Sequence, residues 1–137
     1  MLGMQETSSK KKILVVEDNE LNLKLFHDLL VAHGYDVVFT RDGEAAYAMA
    51  CEERPDLVIM DIQLHGISGI QVIKQIKEDP ALSGIPVVAV SAFAMREEQS
   101  RIMRSGCDAY VSKPISIVPF LKTIQNFFQP LKAADTA

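Results

Sequence analysis

Three runs of four consecutive apolar side chains, ILVV at 13–16, LVIM at 57–60 and VVAV at 87–90, constrain this chain more than any other feature. A strand with one wet face alternates apolar and polar residues. A short strand that is apolar throughout is buried on both faces, as in a parallel sheet covered by helices. The segments between these runs supply such helices. Asn19 can cap one in which Leu25, Phe26, Leu29 and Leu30 recur at helical spacing, and His33-Gly34 ends it. A second strand follows at Val37–Phe39, and Asp42-Gly43 turns into an alanine-rich helix over Glu44–Cys51. Pro55 precedes the third strand, Leu57–Met60. The next helix covers Gly69–Glu78, with Ile70, Ile73 and Ile76 inward. Pro86 opens the fourth strand, where a proline is tolerated. A helix over Met95–Arg104, a strand at Ala109–Val111 and a helix over Ile117–Phe128 complete the order. The pattern predicts an α/β fold, a doubly wound (βα)5 unit with a five-stranded parallel sheet.

A chain of 137 residues suits one such domain, expected over 11–129, between flexible tails at 1–10 and 130–137. Its 18 acidic and 14 basic side chains leave a net charge of −4, with no basic footprint for nucleic acid. No apolar run has the length of a membrane span, so no membrane insertion is expected. MLGMQETSSKKK lacks the apolar core of a secretory signal, and Met4 offers a second start. Cys51 and Cys107 have neither zinc-ligand nor redox-pair spacing, which suits a reducing cytoplasm.

Ligands of an open parallel sheet bind beyond the carboxyl ends of its strands. The first strand ends at Glu17-Asp18, the third at Asp61, the fourth at Ser91 and the fifth at Lys113-Pro114. Carboxylates gathered there repel one another unless a hard divalent cation or the Lys113 ammonium compensates them. Lys113 can pair with a carboxylate or with a phosphoryl oxygen on it, and Ser91 can donate to the same oxygen. The set suits an aspartate that acts as a nucleophile toward phosphorus. Taken singly, each member has an ordinary reading. Glu17-Asp18 can cap a helix, Asp61 can be solvated in a loop, Lys113 can lie on the surface, and Ser91 can cap the fourth helix. Their common place at one end of successive strands is what points to a site.

ILVVEDN, DLVIMDIQLHGISG, PVVAVSAFA and GCDAYVSKP, in this order, resemble the response-regulator receiver domains of two-component signalling, from about Lys11 to Phe128. ELNLKLFHDLL, SAFAM and YVSKPISIVPFL are more narrowly similar to single-domain cell-cycle regulators of alphaproteobacteria. The resemblance implies a flavodoxin-like sheet of order 2-1-3-4-5. Asp61 would accept a phosphoryl group from a histidine kinase or a histidine phosphotransfer protein. Asp18, Asp61 and the backbone carbonyl of Gln63 would hold Mg2+, with Mn2+ as a substitute and Glu17 acting through metal-bound water. Lys113 would contact the phosphoryl group, and Ser91 and Tyr110 would form the switch pair. The small Ala92 would leave the pocket mouth open, and Gln63 and Phe93 would flank the hydrolytic water.

Three residues depart from the usual pattern. Glu17 replaces an aspartate but keeps the charge. His65 replaces a proline, which frees the loop's φ, and is expected to be exposed and idle. Ser91 replaces a threonine and keeps the hydroxyl.

The chemistry is that of a signalling phosphoacceptor, not a metabolic enzyme. Only nine residues follow Phe128, so output is expected through protein binding, without an output domain. Sensor histidine kinases or kinase-like proteins are the expected partners, and the domain is expected as a monomer or a weak phosphorylation-dependent dimer. The implied role is control of cell division, cell cycle and polarity, in the cytoplasm with recruitment to a pole. A phosphorelay intermediate or phosphate sink is the alternative. Leu23 and His27, one turn apart and off the Leu25/Leu29 stripe, are candidates for a kinase-docking face; Met95 and Met103 face a partner or pack on the sheet.

Overall fold

The computed structural model describes residues 10–92 and 95–129. The expected tails, apart from Lys10, together with Met4 and Phe93, lie outside the described residues. Strands β1 (Lys12–Val16), β2 (Asp36–Thr40), β3 (Leu57–Asp61), β4 (Val87–Ser91) and β5 (Ala109–Ser112) alternate with five helices. These are α1 (Glu20–Ala32), α2 (Gly43–Glu53), α3 (Gly69–Glu78), α4 (Arg96–Arg104) and α5 (Ile117–Phe128). All pairings are parallel, and the sheet order is β2-β1-β3-β4-β5. The order reverses beside β1, which opens a crevice at the carboxyl ends of β1 and β3.

Strand residues alternate between the two faces, and each face has its own core. Leu14, Val16, Val58, Met60, Val87 and Ala89 pack with Ala46 and Ala50 of α2, Val72, Ile73 and Ile76 of α3, and Ile102 of α4. Ile13, Val15, Leu57, Ile59, Val88 and Val90 pack with Leu23, Phe26 and Leu30 of α1 and Phe120 and Ile124 of α5. The all-apolar strands are thus covered from both sides. The rings of Phe26 and Phe120 meet at a centroid distance of 5.3 Å and tie α1 to α5.

Local signals set the helix ends. Asn19 accepts a hydrogen bond from the Asn22 N–H at 2.9 Å, Asp42 from Glu44 at 2.9 Å and Ser68 from Ile70 at 3.1 Å. Each satisfies a donor that the first turn leaves open. Gly34, at φ +89°, takes the chain out of α1 through the left-handed region.

The buried stripe of α1 differs from the expected one. Leu23, Phe26 and Leu30 face the sheet, whereas Leu25 is exposed and Leu29 only half-buried. Both stripes have helical spacing, and the entry of the chain from β1 selects between them. Leu23 is therefore a core residue and not an exposed docking residue; the most exposed leucine of this helix is Leu21. Strands β2, β3, β4 and β5 each end one residue later than the apolar runs alone indicate, at Thr40, Asp61, Ser91 and Ser112. Asp61 pairs in register with Val90, and Ser91 with Ser112, so both polar side chains sit on the last rung of the ladder and not in loops. No helix among the described residues is long and apolar enough to cross a membrane.

Candidate functional site

The acids converge at the carboxyl end of the sheet. One carboxylate oxygen from each of Glu17, Asp18 and Asp61 lies within 4.8 Å of the others. Glu17 follows β1 and is 1% exposed; Asp61 ends β3 and is 2% exposed. Asp61 Oδ1 accepts the Gln63 N–H at 3.0 Å, and Oδ2 accepts the Lys113 ammonium at 3.2 Å. The same ammonium lies 3.3 Å from Glu17 Oε1. Glu17 Oε2 accepts the Asn19 N–H at 3.1 Å, so the loop that starts α1 also holds this carboxylate.

Lys113 is tied to the end of β4 through its backbone. Its N–H donates to the Ser91 carbonyl at 2.9 Å, and the Lys113–Pro114 peptide is cis. Ser91 is fully buried at the end of β4. It does not cap α4, whose N-cap is Met95. Tyr110 is partly buried on β5, opposite Ala89. Gln63 reaches across the crevice, where its Oε1 accepts the Ala92 N–H at 3.1 Å.

Asp18 has partners that the sequence did not reveal. Its Oδ2 accepts the His65 N–H at 2.8 Å and faces the His65 Nδ1 at 2.6 Å. Its carbonyl accepts both Nε and an Nη of Arg41, at 3.2 and 2.9 Å. His65 is exposed as expected, but it is not idle. Arg41 and Asp18 stand on different loops and meet only through β1–β2 pairing, so no local pattern announces them.

The charges are uneven. Burial, and then the neighbouring Asp61 carboxylate, push Glu17 up to about 7. Glu17 Oε1 is buried with no hydrogen-bond partner among the described residues, since the Lys113 contact is close but poorly aligned. One ammonium paired with Glu17 and Asp61, with the Asp18 carboxylate beside them, leaves negative charge in excess. An all-oxygen donor set with one orphaned buried oxygen is the chemistry that a hard divalent cation satisfies. The triad thus fits a divalent-cation site.

Outside the cluster, His27 is half-buried and edge-on to Phe39, with centroids 6.1 Å apart. With Leu23, Glu20, Lys24 and Asp28 it lines a shallow cleft between α1 and β2. Met95 and Met103 are exposed and not packed on the sheet. Cys51 is exposed and Cys107 buried, and both are free thiols.

Comparison with known proteins agrees with this geometry. Residues 13–125 match the family model described as response regulator receiver domain. The chain is 52% identical over 117 residues to the polar-differentiation response regulator DivK of Brucella anthropi, covering 85% of this chain and 95% of that protein. Identity to the DivK of Brucella ovis is 51% over 117 residues, with the same coverage. Among solved structures, the receiver domain of a sensor histidine kinase from Pseudomonas aeruginosa, with magnesium coordinated in its active-site cleft, superposes with a TM-score of 0.82. It is 26% identical and covers 88% of this chain and 99% of that one. Chemotaxis protein CheY4 of Vibrio cholerae shares the fold, with a TM-score of 0.81, 24% identity, and coverage of 87% of this chain and 99% of that one. By sequence and by fold, this chain belongs to the response regulator receiver domain family.

Proposed function

We propose that Asp61 is the phosphoacceptor of a signalling phosphotransfer, and that the donor is a phosphohistidine on a sensor kinase or histidine phosphotransfer protein. The observation that carries this reading is the buried Asp61 carboxylate, set between the acid cluster and the Lys113 ammonium at 3.2 Å. In the transfer an Asp61 carboxylate oxygen adds to phosphorus. The phosphorus–nitrogen bond breaks, and its electron pair stays on the donor imidazole. An acyl phosphate remains on Asp61. Lys113, already bonded to the nucleophile, follows the new charge onto the phosphoryl oxygens. The Gln63 N–H holds the other carboxylate oxygen in place.

Magnesium is the cation we assign to the cluster, held by Asp18, Asp61 and the Gln63 carbonyl beside Glu17; when bound it supplies positive charge to the transferring phosphoryl oxygens. Manganese, equally hard toward oxygen, is the expected substitute.

Ser91 and Tyr110 are the proposed route outward. The Ser91 hydroxyl moves to a phosphoryl oxygen, and the Tyr110 ring follows, which shifts the population of the α4–β5–α5 face. We read the output as phosphorylation-dependent protein binding by the 11–129 domain. The Brucella relatives are named for polar differentiation, which supports a role in polarity; the same reading includes control of cell division, in the cytoplasm with recruitment to a pole by kinase partners.

The test is the intact mass after incubation with magnesium and acetyl phosphate, for wild type and Asp61→Ala. One phosphoryl adduct on the wild type, lost in the variant and lost with EDTA, is expected. No adduct from acetyl phosphate or from a phosphorylated histidine kinase would overturn the assignment and leave a phosphate-independent binding domain.

A further inference from the structure

Asp18 is held from two sides by residues that lie outside the acid cluster. From the turn after β2, the Arg41 guanidinium donates twice to the Asp18 carbonyl, at 3.2 and 2.9 Å. From the loop after β3, His65 places both its backbone N–H, at 2.8 Å, and its ring Nδ1, at 2.6 Å, on the single oxygen Oδ2. Facing a carboxylate oxygen at that distance, Nδ1 carries the proton in this contact, whether the ring is neutral or charged. The clasp on the carbonyl fixes the Asp18 backbone. The clasp on Oδ2 fixes the carboxylate plane and leaves Oδ1 for a cation.

The His65 side chain is 97% exposed and Asp18 14% exposed. Packing does not hold this ring. An exposed pair of this kind contributes little to stability. What it can govern is orientation. Groups that hydrogen-bond a metal-ligating side chain set its direction, and losing one commonly costs about 10–100-fold in metal affinity. Resting on the reading of the acid cluster as a magnesium site, we infer that Arg41 and His65 are positioning residues for the cation: they hold Asp18 in its ligating pose and so tie magnesium affinity to the loops after β2 and β3.

Charge and positioning predict opposite signs here. Removing positive charge near a cation site tightens binding by simple electrostatics. Losing the pose of Asp18 weakens it.

The test is calorimetric titration of magnesium into the metal-free full chain, with thermal unfolding of each metal-free variant alongside. Arg41→Met and His65→Ala are each expected to weaken magnesium binding by about 10-fold. Arg41→Lys and His65→Asn keep a donor and are expected to recover part of the loss, while the unfolding midpoints stay close to wild type. Unchanged or tighter binding in Arg41→Met and His65→Ala overturns the inference. So does a loss that tracks lowered stability and is not recovered by the donor-bearing variants. No magnesium binding by the wild type overturns the cation reading itself, and the clasp with it, a result separable from the Asp61 adduct.

Discussion

Lys113 Nζ donates to Asp61 Oδ2 at 3.2 Å, joining residues that stand 52 positions apart. The bond brings the tip of β5 to the tip of β3 across the intervening β4. It also places the compensating charge on the oxygen-bearing group that we assign as nucleophile. Lys113→Met keeps the stem and removes the ammonium. By analogy with the loss of one electrostatic stabiliser of a transition state, the rate of acyl phosphate formation should fall by about 100-fold or more. Because the ammonium repels a cation, magnesium affinity should hold or rise. Adduct formation followed by mass against time, beside a magnesium titration, reads both. A rate unchanged by the loss of Lys113 would remove it from the chemistry.

Gly69 begins α3 where the chain returns past the end of β3. A Cβ there would stand 2.2 Å from the Asp61 carbonyl oxygen and 2.8 Å from the Ile62 Cα. These are backbone atoms, so no flexible side chain can give way. Gly69→Ala should therefore push α3 off the loop that carries Asp61, at a cost of about 1–3 kcal/mol, typical of overpacking. Urea unfolding measures the loss. Phosphorylation in the remaining folded fraction should slow as well, since the displaced backbone is that of the acceptor.

Phe120 is 1% exposed and packs its ring on Phe26, 5.3 Å between centroids. It is the largest side chain that α5 places fully inside the sheet-facing core. Phe120→Ala should cost about 3–5 kcal/mol, the transfer of the ring plus the cavity that it leaves. Against a typical domain stability of about 5–15 kcal/mol, such a loss leaves the variant marginal at 37 °C. A midpoint in urea close to wild type would mean that α1 and α5 close over the gap.

The parts of this structure that were legible in the sequence are those that depend on burial and on capping. Val15 and Leu14 face opposite sides of the sheet and both are buried, so an unbroken apolar run reported a strand covered on both faces. Asn19 and Asp42 announced helix starts because their short side chains satisfy orphan donors nearby; the Ser68 cap came to light only in the structure. Glu17, Asp18, Asp61 and Lys113 were legible as a group, because the parallel topology carries each strand end to the same edge. The facing of α1 was not legible. Leu23 and Leu25 are equally apolar, and only the angle at which the helix meets the sheet decides which is covered. Arg41 and His65 were not legible either, since their partner, Asp18, lies on another loop and a polar loop residue has no periodicity to betray its contact.

Glu17 gives the site a dependence on pH whose sign differs between the metal-free and the cation-bound protein. Burial, and then Asp61, raise its pKa from an ordinary 4.5 to about 7 in the folded chain. Between those values the native state holds a proton that the unfolded chain has released. The contribution of Glu17 to the stability of the metal-free domain should thus be fully present below the lower value and be lost as pH rises through 7. A divalent cation needs the ionised carboxylate, so magnesium affinity should rise over the same interval and binding should release a proton. Titrations at pH 6.5 in two buffers of different ionisation enthalpy would count that proton, and thermal unfolding of the metal-free chain across the interval would show the opposing slope. Glu17→Gln keeps the shape, cannot ionise, and should flatten both profiles while weakening magnesium binding. A wild-type profile as flat as that of the variant would mean that Glu17 is ionised throughout, with Lys113 supplying the compensating charge.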